Sequence, residues 1–281
     1  MNEAALLAAR HGHELITMRE LEEAIDRVIG GPERKSRVMS DEEKLVIAYH
    51  EGGHTLVGHV LPHADPVHKV SIIARGRSLG WTLSLPTEDR YITTRSQLRH
   101  RLAVLMGGRT AEELIFSDPS TGAQNDIEVA TGIARAMVTE YGMSDELGPQ
   151  ALGTGNGEVF LGRDFGHTPT YSDEVAARID SEVRRLINDA HDEARAILVS
   201  HRTTLDKIAS ALVEKETLEG EALDAILGPL AEWKPKPAPR RAPRSTPKPG
   251  DGAPIPVAPA RRRVGAPSAA LRRPRPRPAT A

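Results

Sequence analysis

The sequence predicts a mostly α-helical protein with a small β-sheet and a disordered C-terminal tail. Apolar residues return at helical spacing over most of residues 1–230, and only two short stretches have strand composition. The last fifty or so positions are dominated by Pro, Ala and Arg, a composition with too little apolar surface to offset ordering. With 281 residues, 39% of them hydrophobic, the chain can bury one sizeable core plus small appendages. Aromatics make up only 3%, so aliphatic side chains must fill that core.

In chain order, Asn2–Arg10 and Met18–Gly30 have helical patterns. Ser40-Asp41-Glu42-Glu43 reads as a capping box that opens a long helix. Leu45, Val46, Tyr49, Gly53, Leu56, Val57 and Val60 continue it until Pro62 stops it. Within it, the adjacent Gly52 and Gly53 each cost about 1 kcal/mol relative to alanine, which implies close approach of another backbone or a metal site. His68–Ala74 and Gly80–Leu85 are the two candidate strands. Short helices are expected over Gln97–Met106 and Thr110–Phe116, on either side of Gly107-Gly108. A further helix opens at Asp126, where Ile127, Ala130, Ile133, Ala134 and Met137 recur. Asp173–Val199, Thr203–Val213 and Gly220–Leu227 complete the helical set. Val175, Ile179, Val183, Leu186 and Ile187 form one apolar stripe, expected to pack a core or a subunit contact.

The chemistry-bearing motif lies inside the capped helix. His50-Glu51-Gly52-Gly53-His54 matches H-E-x-x-H, and positions i and i+4 of a helix share a face, so both imidazoles can reach one ion with Glu51 near the same opening. Zinc suits neutral imidazole, and Glu51 is placed as a general base. Glycine and histidine do not follow at the metzincin positions, since Gly58 and His59 are adjacent and out of register. Glu112, Glu113, Asp126 and Glu128 are downstream carboxylates able to complete the site, and spacing does not choose among them. The absence of cysteine excludes a cysteine nucleophile, thiolate zinc ligation and disulfides, and fits a cytosolic setting. No G-x-S-x-G elbow is present. His59, His63, His68, His100, His167, His191 and His201 have no matching partner at helical spacing and are expected on the surface or in support of the site.

Several separate segments, in order, carry a resemblance to a known family. Ala48-Tyr49-His50-Glu51-Gly52-Gly53-His54, Asp65-Pro66-Val67-His68-Lys69-Val70-Ser71-Ile72-Ile73 and Ser120-Thr121-Gly122-Ala123-Gln124-Asn125-Asp126-Ile127 resemble the peptidase domain of FtsH. That family comprises membrane-anchored, ATP-dependent zinc metalloproteases. Met137-Val138-Thr139-Glu140-Tyr141-Gly142 and Gly157-Glu158-Val159-Phe160-Leu161-Gly162 look like the same family. The resemblance implies one Zn2+ held by His50, His54 and Asp126, with Glu51 as the catalytic base. It further implies unfolded or membrane-protein substrates, a homo-hexameric ring and a cytoplasmic location.

The sequence also departs from that family. It contains no G-x-x-x-x-G-K-[ST] phosphate loop and no apolar run of about 20 residues that would span a membrane. Residues 1–33 resemble the last helices of the ATPase module, residues 34–230 the peptidase domain, and residues 231–281 form the tail. The chain is therefore expected to be a fragment or a truncated gene product that is soluble, does not itself use ATP, and cleaves only flexible or unfolded chains. Residues 234–281 hold thirteen Lys and Arg against Asp251 alone, a charge of +12. Residues 1–233 carry −14, so the overall −2 conceals a strongly divided molecule. Arg261-Arg262-Arg263 and Arg272-Arg273-Pro274-Arg275 suit anionic lipid, nucleic acid or an acidic protein face. Two readings compete with the peptidase: a non-catalytic assembly remnant and an interaction module built on this tail.

Overall fold

The computed structural model describes residues 1–33, 39–76, 78–86, 88–152 and 171–234. Residues 235–281 of the basic tail, His167 and the Gly157–Gly162 motif lie outside the described residues. As expected, the described chain is mostly helical with one small antiparallel sheet.

Helices α1 (Asn2–His11) and α2 (Met18–Gly30) form a hairpin. Ala4, Leu7 and Ala24, with Leu21 against them, make a small apolar cluster separate from the main core. α2 begins with a reciprocal capping box between Thr17 and Glu20.

α3 (Asp41–Val60) is the central helix, and its start follows the sequence signal. Ser40 Oγ accepts from the Glu43 N–H at 3.1 Å, and the Glu43 carboxylate accepts from the Ser40 N–H at 3.2 Å. From Ile47 to Val60 it is buried almost all round, between α4 (Arg95–Phe116) on one side and α7 (Arg202–Lys215) on another. Leu205 and Ile208 of α7 press on Gly52, and the Tyr49 hydroxyl donates to Asp206 at 2.9 Å, which fixes the register of α3 against α7.

α4 departs from the expected pair of short helices, since it runs unbroken through Gly107-Gly108. The reason is tertiary. A Cβ on Gly53 would lie 2.4 Å from the Gly107 carbonyl oxygen, and one on Gly107 would lie 2.8 Å from that of Gly53. The two glycines let α3 and α4 cross with their backbones in contact, and that packing outweighs the weak helix propensity of glycine.

The sheet has the order β2-β1-β3, formed by Trp81–Ser84, Val67–Ser71 and Thr217–Glu219. Val70 is the central register point, opposite Thr82 on one side and Leu218 on the other. Ser71 and Thr217 join their hydroxyls at 2.8 Å, and the Ile72 N–H donates to the Glu216 carbonyl at 2.9 Å. β2 is therefore an edge strand.

A 3-10 turn at Thr121–Ala123 leads into α5 (Gln124–Thr139), with Asp126 in its first turn. α6 (Asp173–Ser200) buries Ile179, Val183 and Leu186 in the core with Val175 and Ile187 at its margin, so the predicted stripe is a core stripe. α8 (Gly220–Leu227) adds Leu223 and Leu227 to the same core.

Candidate metal centre

The buried middle of α3 presents His50 and His54 one turn apart, and α5 brings Asp126 over them. The two Nε2 atoms are 3.0 Å apart, and Asp126 Oδ2 lies 3.4 Å from that of His50 and 3.3 Å from that of His54. Four donors at about 2.0–2.1 Å around a tetrahedral zinc stand about 3.3 Å from one another, so this triangle has the dimensions of one face of such a shell. The outer ring nitrogens are already engaged. His50 Nδ1 donates to Glu112 Oε1 at 2.6 Å and His54 Nδ1 to the Val104 carbonyl at 2.8 Å. In the tautomers that carry their protons on Nδ1, both rings offer Nε2 lone pairs to one point, where a cation would hold them together.

Electrostatics show the same demand for positive charge. Burial pushes the His50 imidazole down, but Asp126, Glu112 and Glu51 outweigh it and raise it to about 10. Burial pushes Asp126 up, and its hydrogen bonds with both imidazoles hold it well below the ordinary carboxylate range. The donor set therefore fits a divalent zinc-class ion.

Among the four carboxylates left open by spacing, only Asp126 reaches the Nε2 pair. Glu113 is occupied by Arg109 at 2.9 Å and His191 at 2.8 Å, and Glu128 is exposed. Glu112 is almost completely buried and works from behind His50. Its Oε1 accepts from the imidazole, and its Oε2 accepts from the Ser120 N–H at 2.6 Å. Burial raises the Glu112 pKa, but these bonds more than offset it. One carboxylate thus ties the first imidazole to the loop that leads to Asp126. Glu112→Gln is expected to weaken zinc binding about 10–100-fold with an unchanged helical circular-dichroism spectrum. Chelator competition measures this, and undiminished affinity would leave Glu112 a space-filling role only.

Glu51 is buried beside the pair, and the Thr82 hydroxyl of β2 donates to its Oε2 at 2.8 Å. Burial raises its pKa, with the His54 and His50 charges pulling the other way. Two glycines make the necessary room. A Cβ on Gly80 would lie 2.7 Å from Glu51 Oε1, and one on Gly108 would lie 2.5 Å from His54 Nε2 and 2.6 Å from His50 Nε2. The supporting roles of Glu112, Thr82, Gly80 and Gly108 are invisible to helical spacing. Glu112 stood out only as one of four candidate carboxylates, and the Gly107-Gly108 pair reads as a helix break.

A mid-helix H-E-x-x-H with converging imidazoles, a carboxylate from a second helix and a buried glutamate alongside is the arrangement of zinc-dependent metallopeptidases. The chain belongs to peptidase family M41, whose sequence pattern matches residues 37–226. It is 57% identical over 227 residues to the ATP-dependent zinc metalloprotease FtsH of Rubrobacter xylanophilus, covering 81% of this chain and 35% of that protein. The FtsH of Endomicrobium trichonymphae is 55% identical over 237 residues, covering 83% and 38%. FtsH 1 of a Thermoanaerobacter species is 55% identical over 226 residues, covering 80% and 37%. The chain thus spans little more than a third of the length of these relatives. No helix among the described residues is long and apolar enough to cross a membrane.

Proposed function

We propose that this protein hydrolyses peptide bonds in unfolded polypeptides, with zinc held by His50, His54 and Asp126 and with Glu51 as the base. The observation that carries this is the convergence of the three donor atoms at 3.0–3.4 Å, with both imidazoles oriented from behind. When bound, zinc supplies a Lewis acid that acidifies a water and polarises a carbonyl. Glu51 takes the proton of the attacking water and returns it to the leaving amine. The Thr82 hydroxyl holds Oε2, which leaves Oε1, in the space kept by Gly80, to carry that proton. Asp126→Ala is expected to lose the zinc of the α3 centre together with cleavage of an unfolded casein-type substrate. Full zinc content in that variant would remove Asp126 from the ligand set.

The position of β2 supports a substrate mode. Among the described residues its outer side is unpaired, and Thr82 within it touches Glu51. An extended peptide adding to this edge is read by its backbone, with wide tolerance of side chains. Thr82→Pro is expected to cut peptide turnover more than zinc content, and equal loss of both would sink the edge-strand mode. Thr82→Val keeps the strand and removes only the hydroxyl, so it separates strand addition from the hold on Glu51.

The relatives are named as ATP-dependent enzymes. We infer that α1 and α2, with their own apolar cluster, are the end of an ATPase module. The peptidase is then coupled to an ATP-driven motor in a homo-hexameric ring on the cytoplasmic side of a membrane.

A further inference from the structure

A second convergence of metal-binding side chains lies in the α1–α2 hairpin. α1 ends at His11, and Gly12 follows at φ 75°, a left-handed conformation that reverses the chain. The Gly12 N–H donates to the Ala9 carbonyl at 3.2 Å and the His13 N–H to the Ala8 carbonyl at 2.9 Å, so the reversal is locked. His11 and His13 thereby stand edge to face, with ring centroids 5.9 Å apart. Below them, Glu20 in the first turn of α2 is 1% exposed. Its Oε2 accepts from the Thr17 N–H at 3.0 Å and from the Thr17 hydroxyl. Its Oε1 faces His13 Nδ1 at 2.9 Å and His11 Nδ1 at 3.7 Å. One donor atom from each of the three residues lies within 4.8 Å of the other two.

We propose that His11, His13 and Glu20 form a second site for a divalent transition-metal ion of the zinc class, which clips the α1–α2 hairpin shut. Two imidazoles and one carboxylate suit such ions, and the separations of 2.9 and 3.7 Å bracket the roughly 3.3 Å spacing of donors around a tetrahedral zinc. The carboxylate is fixed before any ion arrives. Thr17 orients it by the far oxygen, as a supporting group does in a metal site. Binding selects the His13 tautomer that carries its proton on Nε2, so that Nδ1 offers its lone pair to the ion. The two rings are 40% and 51% exposed, which leaves the other coordination positions to water.

The test counts metal. The full chain is stripped with a chelator, reloaded with Zn2+, desalted and analysed for zinc per chain, beside His11→Gln/His13→Gln and His50→Ala/His54→Ala. Two equivalents are expected in the parent and one in each double variant. Because both substituted rings of the hairpin are exposed, the first variant keeps its core. Zinc should also slow proteolysis between Gly12 and Thr17 in the parent and leave the His11→Gln/His13→Gln rate unchanged. If His11→Gln/His13→Gln carries as much zinc as the parent, the proposal is overturned. If that variant loses one equivalent while His50→Ala/His54→Ala loses none, the hairpin site stands and the α3 centre is the one refuted.

Discussion

Glu51→Gln is expected to cut proteolysis by about 10²–10⁴-fold while leaving the α3 centre fully loaded with zinc. Glutamine has nearly the same shape, and its side-chain carbonyl can still accept the Thr82 hydroxyl, so neither α3 nor β2 has reason to move. What it lacks is the ability to take a proton from water. Positioned general bases contribute about 10²–10⁴-fold, and turnover of unfolded casein should fall within that range. None of the three converging donor atoms belongs to Glu51, so zinc per chain should match the parent. Retained turnover would place the base elsewhere. A matching fall in zinc would make the loss structural and leave the catalytic assignment without support.

Alanine at two glycines should separate folding from metal binding. In an ordinary helix interior, Gly→Ala gains about 1 kcal/mol. At Gly53 the new methyl would sit 2.4 Å from the Gly107 carbonyl oxygen and 2.8 Å from Ala111 Cβ. Backbone in a packed helix cannot turn aside, so α3 and α4 must part, and overpacking of this kind costs about 1–3 kcal/mol or more. Urea denaturation of Gly53→Ala should therefore show a clear loss of stability. Gly108→Ala meets different neighbours, because its methyl would fall among the imidazole tips of His50 and His54. Those rings can rotate away, so the fold should survive while zinc affinity drops about 100-fold or more. Parent-like zinc affinity in Gly108→Ala would show that the space above the imidazoles is dispensable. Parent-like stability in Gly53→Ala would do the same for the close crossing.

What the sequence made legible was local. The start of α3 could be read because Ser40 and Glu43 cap each other across three residues, and its end because Pro62 cannot continue it. His50 and His54 were legible because helical spacing alone puts them on one face. The limits appear wherever two distant segments meet. Gly107-Gly108 looks like a break in isolation, yet it is the seam where α4 crosses α3. Glu112 has the same chemistry as Asp126, and it is the packing of α4 and α5 around α3 that puts one carboxylate behind His50 and the other in front. Thr217–Glu219 has no periodicity to read over three residues, and it exists as a strand because Val67–Ser71 offers it an edge.

The central strand of the sheet has one neighbour shortly after it in the chain and the other almost 150 residues later. A ribosome adding roughly 5–20 residues per second reaches the second neighbour on the order of ten seconds after the first. Through that interval the growing polypeptide already owns its histidine pair but has a two-stranded ribbon in place of a finished sheet, and such a ribbon is marginal by itself. The strand that lies against the buried glutamate therefore gains its full backing only after α4, α5, α6 and α7 have been made. The sheet that holds Glu51 is thus closed by a segment made after the helices that carry Glu112 and Asp126.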